Sequence, residues 1–129
     1  MNKHIVYTKE KGKIETDNLG DVKYLIWHRL DGPAYQEFHD NGKLAVEVYY
    51  INDKQHRLDG PSMRHFNNTG KLKYESYYIN GKPHRLDGPA YQRFWNNGQL
   101  DYAEYWINST FYTKTEYDVE IFKMKLALL

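Results

Sequence analysis

Residues 28–55 read HRLDGPAYQEFHDNGKLAVEVYYINDKQ, and the chain repeats this stretch twice more without an insertion. The second copy, HRLDGPSMRHFNNTGKLKYESYYINGKP, occupies residues 56–83, and the third, HRLDGPAYQRFWNNGQLDYAEYWINSTF, occupies residues 84–111. The period is therefore 28 residues. A fixed period of this kind is typical of a repeat architecture, in which each copy packs on its neighbours.

Each copy is predicted to form a β-hairpin. In the first copy the arms are PAYQEF and LAVEVYYI, with HDNGK between them. The glycine of this turn supplies the positive φ that a tight hairpin needs. We expect a three-residue loop, Asp40 to Gly42, with a glycine bulge, rather than a two-residue loop at Asn41 and Gly42. The longer loop pairs Phe38 with Leu44 and would pair Gln36 with Val46, and register usually follows the buried pattern.

This register divides the side chains of the first copy between two faces of a sheet. The apolar face would carry Ala34, Phe38, Leu44, Val46, Val48 and Tyr50. The opposite face would carry Tyr35, Glu37, Ala45, Glu47, Tyr49 and Ile51. Three such hairpins predict a mainly β fold, a twisted antiparallel meander of tandem 28-residue repeats.

The last residues, TKTEYDVEIFKMKLALL, are predicted to form one C-terminal α-helix that covers the last hairpin; a helix that binds a partner or forms a dimer is the alternative. Thr113 and Glu116 have the spacing of a capping box, and apolar residues from Tyr117 to Leu128 share a stripe. We expect a single domain, divided as follows: residues 1–27, a degenerate N-terminal cap; residues 28–112, three hairpin repeats; and residues 113–129, the helix.

The composition limits the classes of function. Basic and acidic residues nearly balance, 18 against 17 with a formal net charge of +1, which argues against a nucleic-acid-binding protein. The chain has no cysteine, so disulfides and thiolate metal sites are excluded and a reducing cytoplasm is the expected location. The N-terminal residues contain no long apolar run, so neither a signal peptide nor a membrane anchor is expected.

The recurring pattern, with NG in the turn, YYI in the second arm and HRLDGPA between hairpins, resembles the MORN-type β-hairpin repeats. More closely, it is similar to uncharacterised phage, viral and bacterial proteins with tandem HR-DGPA units, which often end in a short helix capped by threonine and glutamate. The resemblance covers about residues 28 to 125. It implies a scaffold or interaction surface and an origin in a phage or mobile element.

The HRLDGP motif brings histidine, arginine and aspartate together, as a catalytic or metal site would. Equivalent residues of adjacent hairpins lie about 9 to 10 Å apart, whereas zinc ligands lie about 2 Å from the metal. A catalytic site is normally single and pocketed. We therefore expect no metal, no cofactor and no enzymatic activity. The motif is predicted to be a structural ladder that locks each turn. Its members are His28, Arg29, Asp31, His56, Arg57, Asp59, His84, Arg85 and Asp87.

The 13 tyrosines point to an aromatic surface, because tyrosine is common in adaptable binding faces. The candidate partner-binding residues are Tyr35, Tyr49, Tyr77, Tyr91, Tyr105, Met63, Trp95, Glu47 and Glu75. The same rings could instead fill a second buried layer or stack on a sugar. A ladder that also touches an acidic peptide or a carboxylate is a further alternative.

Together these features predict a non-enzymatic protein–protein interaction module. The sharper hypothesis is a phage-encoded inhibitor that binds and blocks a host defence protein or toxin in the host cytoplasm. The alternative is a β-repeat module that binds a small ligand, a saccharide or a nucleotide. Neither nucleic acid nor a membrane is an expected partner. An apolar sheet face covered by one helix also allows a homodimer.

Overall fold

The computed structural model describes residues 3–129, so Met1 and Asn2 of the predicted N-terminal cap lie outside the described residues. The elements follow one another as short strands, and one α-helix ends the chain. The strands are β1 (Lys3–Thr8), β2 (Gly12–Thr16), β3 (Tyr35–Phe38), β4 (Leu44–Val48), β5 (Tyr50–Ile51), β6 (Lys54–Gln55), β7 (Met63–Phe66), β8 (Leu72–Ser76), β9 (Tyr78–Ile79), β10 (Lys82–Pro83), β11 (Tyr91–Phe94), β12 (Leu100–Ile107) and β13 (Thr110–Tyr112). The helix is α1 (Lys114–Ala127).

Nine strands form one antiparallel sheet in the order β13-β12-β11-β8-β7-β4-β3-β1-β2. The pairs β5–β6 and β9–β10 form two short ribbons beside it. The prediction of a mainly β antiparallel meander with one C-terminal helix is confirmed. Because each repeat contributes one hairpin to the sheet, equivalent residues of successive repeats lie two strands apart.

The hairpin turns have the predicted three-residue loop. The His39 N–H donates to the Lys43 carbonyl at 2.8 Å, and the Gly42 N–H donates to the His39 carbonyl at 2.8 Å. Gly42 has φ +83°, a conformation that only glycine adopts at little cost. Phe38 lies opposite Leu44, as the apolar pattern predicts.

The predicted pairing is correct at Phe38 and wrong for the residues before it in β3, because the register shifts between Glu37 and Phe38. Gln36 lies opposite Glu47, not Val46, and Tyr35 lies opposite Val48. The cause is a β-bulge that leaves one extra residue on β4. Tyr35 therefore shares a face with Val48 and not with Glu47. The same shift recurs in the other two hairpins.

The core lies on the face that carries Tyr35. Val6, Val22, Tyr35 and Val48 form its buried cluster, and Tyr35 is 8% exposed. The segment between β2 and β3 crosses this face and packs against the cluster through Leu19, Leu25 and Trp27. This segment lies in the predicted degenerate cap. It covers the N-terminal half of the sheet.

A second turn, at the end of each hairpin, directs the chain into the next HRLDGP motif. In the second repeat Ile79 pairs with Lys82, and Asn80 and Gly81 both have positive φ, 50° and 78°. This is the type I′ geometry that Asn-Gly favours. The turn places the following histidine and arginine, His84 and Arg85, at the edge of the sheet face.

Helix α1 begins as predicted and packs less than predicted. The capping box between Thr113 and Glu116 is present, and α1 contacts β12 and β13. Of the helix residues, Tyr117 alone is buried, whereas Phe122 and Leu126 remain exposed. The expectation that an apolar stripe covers the last hairpin is therefore correct for one residue, Tyr117.

Candidate functional site

The three HRLDGP turns, called corners below, occupy residues 28–33, 56–61 and 84–89. In the second corner Arg57 donates from Nε to Asp59 at 3.0 Å and from Nη1 to the Pro61 carbonyl at 3.1 Å. Its guanidinium carbon lies 4.1 Å from the ring centroid of Tyr49, which adds a cation–π contact. The first and third corners repeat this arrangement with Arg29 over Tyr7 and Arg85 over Tyr77.

The corner histidines accept hydrogen bonds from the second turn of the same repeat. The backbone N–H of Asn80 donates to Nδ1 of His56 at 3.0 Å. The first and third corners show the same bond, from Asn52 to His28 and from Asn108 to His84, also at 3.0 Å. Each repeat is thus closed by a bond between residues 24 positions apart.

The three corners lie side by side and form what we call the corner ridge. The arginine side chains are 18–24% exposed, whereas the aspartates are 85–87% exposed. The surface of the ridge is therefore acidic, although each corner pairs one positive with one negative charge. The hydrogen bond from Arg29 lowers the pKa of Asp31, so this carboxylate stays ionised.

The leucines of the corners point outward. Leu30 is 83% and Leu58 81% exposed, while Leu86, beside α1, is 47% exposed. Between neighbouring corners lie two open grooves, about 590 Å³ between the first and second corners and about 650 Å³ between the second and third. One side of each groove is lined by the arginine, leucine, aspartate and glycine of one corner with a tyrosine and an isoleucine of the same repeat. The other side is lined by the histidine, arginine, leucine and aspartate of the next corner.

The structure does not gather the predicted partner-binding residues on one face. Tyr35 lies in the core, and Met63 packs against it half-buried. Glu47 is buried and pairs with Arg64, and Glu75 accepts a bond from Gln92 at 2.9 Å. Three further residues, Tyr49, Tyr77 and Tyr105, lie beneath Arg57, Arg85 and Lys114. The remaining two, Tyr91 and Trp95, lie on the core face and in an exposed hairpin loop.

The predicted placement of Tyr35, Met63 and Tyr91 on the less apolar face is wrong, because the β-bulge next to Phe38 and its counterparts exchanges the faces of β3, β7 and β11 relative to the predicted register. A different set of rings forms a row on the C-terminal half of the core face. His65 stacks on Tyr74 at 4.7 Å, and ring centroids of Tyr74, Tyr91 and Tyr102 follow at 6.1 Å steps. Of this aromatic row only Tyr91 belongs to the predicted set.

The aromatic row lies in a partly desolvated environment. Burial lowers the pKa of His65, and the nearby Lys73 charge acts in the same direction. Burial also raises the pKa of Tyr74. The buried Nδ1 of His65 has no hydrogen-bond partner among the described residues.

The exposed leucines of the corner ridge are the surface residues that the sequence interpretation missed. They stand at Leu30, Leu58 and Leu86, between the arginine and the aspartate of every corner. An apolar residue that recurs inside a polar turn is a signal for a contact surface, since turn positions are normally solvated.

Residues 3–129 contain no cluster of three His, Asp or Glu side chains that could hold a metal ion. Within the same residues, no helix has the length and apolarity to cross a bilayer.

Two segments of the chain match a known family. Residues 34–52 and residues 62–80 match the model of the MORN repeat variant. Each segment runs from the start of a hairpin to the asparagine of its second turn; the third hairpin has the same period and lies outside the match. No curated protein and no solved structure matches the chain significantly. The chain carries MORN-like β-hairpin repeats, a type of repeat that generally serves contact with proteins or membranes.

Proposed function

We propose that this chain is a non-enzymatic protein-interaction module and that it binds its partner through the corner ridge. The observation that carries the proposal is the exposure of Leu30 and Leu58, 83% and 81%, at equivalent positions beside open grooves. Burial of a leucine side chain contributes about 1.5–3 kcal/mol, so two of them supply useful binding energy.

The rigidity of the ridge supports the same proposal. Each corner is held by the arginine fork, by the histidine bond to the second turn and by the stacked tyrosine. A preorganised surface loses little conformational entropy on binding. The outward aspartates add a preference for a partner with basic residues around an apolar centre.

The proposal extends to an inhibitory role. A small rigid chain blocks a partner by covering its surface. The resemblance to phage proteins makes a host defence protein or a toxin in the host cytoplasm the target that we propose. In this proposal residues 1–129 act as one unit. Two copies pair through the uncovered half of the core face, which sedimentation tests.

Affinity capture tests the function. Wild-type chain immobilised on beads should retain one stoichiometric protein from host lysate, and L30E with L58E should retain at least tenfold less. The matched control is L100E, because Leu100 is also exposed and lies on β12, outside the corners. Equal capture by the ridge variant and by the control would exclude the ridge, and no retained protein would exclude the function.

A second candidate function is small-ligand binding, and the aromatic row favours it. Rows of partly exposed rings stack on sugars and on bases, and Tyr102 is an exposed ring at the end of the row. A thermal-shift screen with saccharides and nucleotides tests this candidate. A ligand that stabilises the wild-type chain and not Y102A would support it, and no shift with either panel would exclude it.

A further inference from the structure

The third corner shows how the chain itself fills a corner. Tyr117 of α1 places its hydroxyl 2.5 Å from the Arg85 carbonyl oxygen and 3.0 Å from the Gly88 carbonyl oxygen. The Gly88 N–H donates back to this hydroxyl at 3.3 Å. The ring of Tyr117 packs on Tyr105 with centroids 4.8 Å apart. One phenol group thus satisfies three polar atoms of the third corner.

The first two corners present the same backbone atoms without a hydrogen-bond partner from the described part of the chain. Within residues 3–129, no hydrogen bond reaches the carbonyl oxygens of Arg29 and Gly32 or those of Arg57 and Gly60. These oxygens belong to residues that line the two open grooves. Acceptors without a partner beside an apolar side chain form a suitable site for an O–H donor attached to a ring.

An incoming ring would rest on an arginine in these grooves. Beside Tyr105, the ring of Tyr117 takes the position that the next corner's arginine takes beside Tyr49 and Tyr77. In the open grooves that position is filled by the guanidinium of Arg57 or Arg85. A planar guanidinium accepts an aromatic ring by stacking, so the ring can enter from solvent above it.

The surroundings of the third corner indicate what else the occupant carries. The cavity between this corner and α1 is lined by Leu86 and Asp87 on one side. On the helix side it is lined by Ile121, Phe122, Lys114 and Lys125, among others. Apolar side chains of α1 thus line the same cavity as the corner leucine, and of the lysines there Lys114 is paired with Asp118 of its own helix. Leu58 and Asp59 offer the same pair of groups to solvent.

We propose that each open groove of the corner ridge binds one tyrosine presented by a helix of a partner protein. The tyrosine hydroxyl donates to the corner carbonyls and accepts from the corner glycine N–H, and the ring stacks on the arginine. An apolar neighbour in the partner helix covers the corner leucine, and a lysine approaches the corner aspartate. This inference rests on the proposed function and specifies the partner's chemistry.

The probe is a synthetic peptide with the sequence of residues 113–129, titrated into the full-length ¹⁵N-labelled chain. The amide signals of Gly32 and Gly60 should shift saturably, because these N–H groups correspond to the Gly88 N–H that bonds to Tyr117. The same peptide with Phe in place of Tyr117 should bind at least tenfold more weakly. D31N in the labelled chain should weaken the response at Gly32 and leave that at Gly60, because Asp31 lines only the groove that contains Gly32.

Three results would overturn the inference. Shifts confined to Gly88 would mean that the peptide only displaces α1. Equal binding of the Tyr and Phe peptides would remove the role of the hydroxyl. A natural partner could be captured and yet leave the amide signals of Gly32 and Gly60 unchanged. The proposed protein-binding function would then stand, and binding in the grooves would be excluded. Failure to capture any partner would instead be a failure of the proposed function.

Discussion

At the scale of single residues, the corner arginine contributes most to each corner. Arg57 is 22% exposed and donates to both a carboxylate and a carbonyl, while Asp59 is 85% exposed. Arg57 also lies against Gly60: a Cβ at Gly60 would lie 3.0 Å from the guanidinium carbon, so a larger residue there would have to displace the arginine. The arginine therefore organises the corner, and the aspartate mainly faces solvent.

Replacing Arg57 with Met should lower the free energy of unfolding by about 2 kcal/mol, since two charge-assisted bonds and a cation–π contact are lost. Arg57→Lys should recover only part of this loss, because an ammonium group cannot reproduce the two hydrogen bonds that the planar guanidinium donates to Asp59 and to the Pro61 carbonyl. Urea denaturation measures both. The control is Arg93→Met, which removes a single ion pair, with Asp101, and a longer cation–π contact, 5.2 Å from the Tyr102 ring centroid, and should cost less, about 1 kcal/mol. Equal losses for Arg57→Met and Arg93→Met would contradict the role of the corner arginine.

Protonation of His65 should make the free energy of unfolding depend on pH. Burial lowers the pKa of His65; the charges of Lys73 and His39 act in the same direction, and Glu37 opposes them. The folded chain therefore binds this proton more weakly than the unfolded chain. The contribution of His65 is complete above about pH 6.5, the ordinary value, and declines as the pH falls below it. An NMR titration should give a His65 pKa below 6.5, and H65Q should reduce the loss of Tm between neutral and mildly acidic pH. A pKa at or above the ordinary value would contradict this.

At the scale of elements, α1 is held to the sheet by few contacts. Its capping box supports the first turn, and Tyr117 is its buried anchor in the third corner. Exposed apolar residues on the rest of the helix add little to docking. The position of α1 should therefore depend on one hydroxyl group more than is usual for a helix of 14 residues.

Tyr117→Phe should lower the free energy of unfolding by about 1–2 kcal/mol, because two corner carbonyls and one N–H lose their partner. It should also speed amide hydrogen exchange at Gly88. The matched variant is Tyr112→Phe on β13, since the Tyr112 hydroxyl makes no hydrogen bond within residues 3–129. If both variants behave alike, the hydroxyl of Tyr117 does not anchor α1.

The hairpins could be predicted from the sequence, and their inner register could not. The Asn-Gly turns, the fixed period and the capping box each have a local physical cause, so the hairpin loop and the start of α1 were predicted correctly. The β-bulge between Glu37 and Phe38, which recurs in the other two hairpins, has no such local signal. Its extra residue is Ala45, Lys73 or Asp101 in the three copies, which share no chemistry. The predicted faces of Tyr35 and its counterparts were wrong for this reason.

At the scale of the whole molecule, the sheet is long and largely single-layered. The accessible surface is 8106 Å², against about 7,200 Å² expected for a compact monomer of this mass. The core is concentrated at the N-terminal end, where residues 19–27 cover the sheet. That cover could not be predicted from the repeat pattern, because it lies outside the three copies. The corner ridge could be placed from the period, while the exposure of its leucines required the structure.

Deletion of one complete repeat should leave a chain that still folds. Deletion of residues 56–83 joins the first repeat to the third in the same frame, so the shortened chain should fold, with a urea m-value lower by about a fifth. Deletion of residues 56–79 breaks the frame and should give an unfolded chain. Circular dichroism and urea denaturation distinguish the two. A 28-residue deletion that unfolds the chain would show that the repeats are not interchangeable.

The central claim is that the corner ridge is the surface that meets a protein partner. Amide hydrogen exchange, compared between the free chain and its captured complex, tests it most directly. In the complex, exchange should be slower at Leu30 to Gly32 and at Leu58 to Gly60, with little change along the aromatic row from His65 to Tyr102. Protection confined to the aromatic row, with unchanged exchange at both open corners, would contradict it.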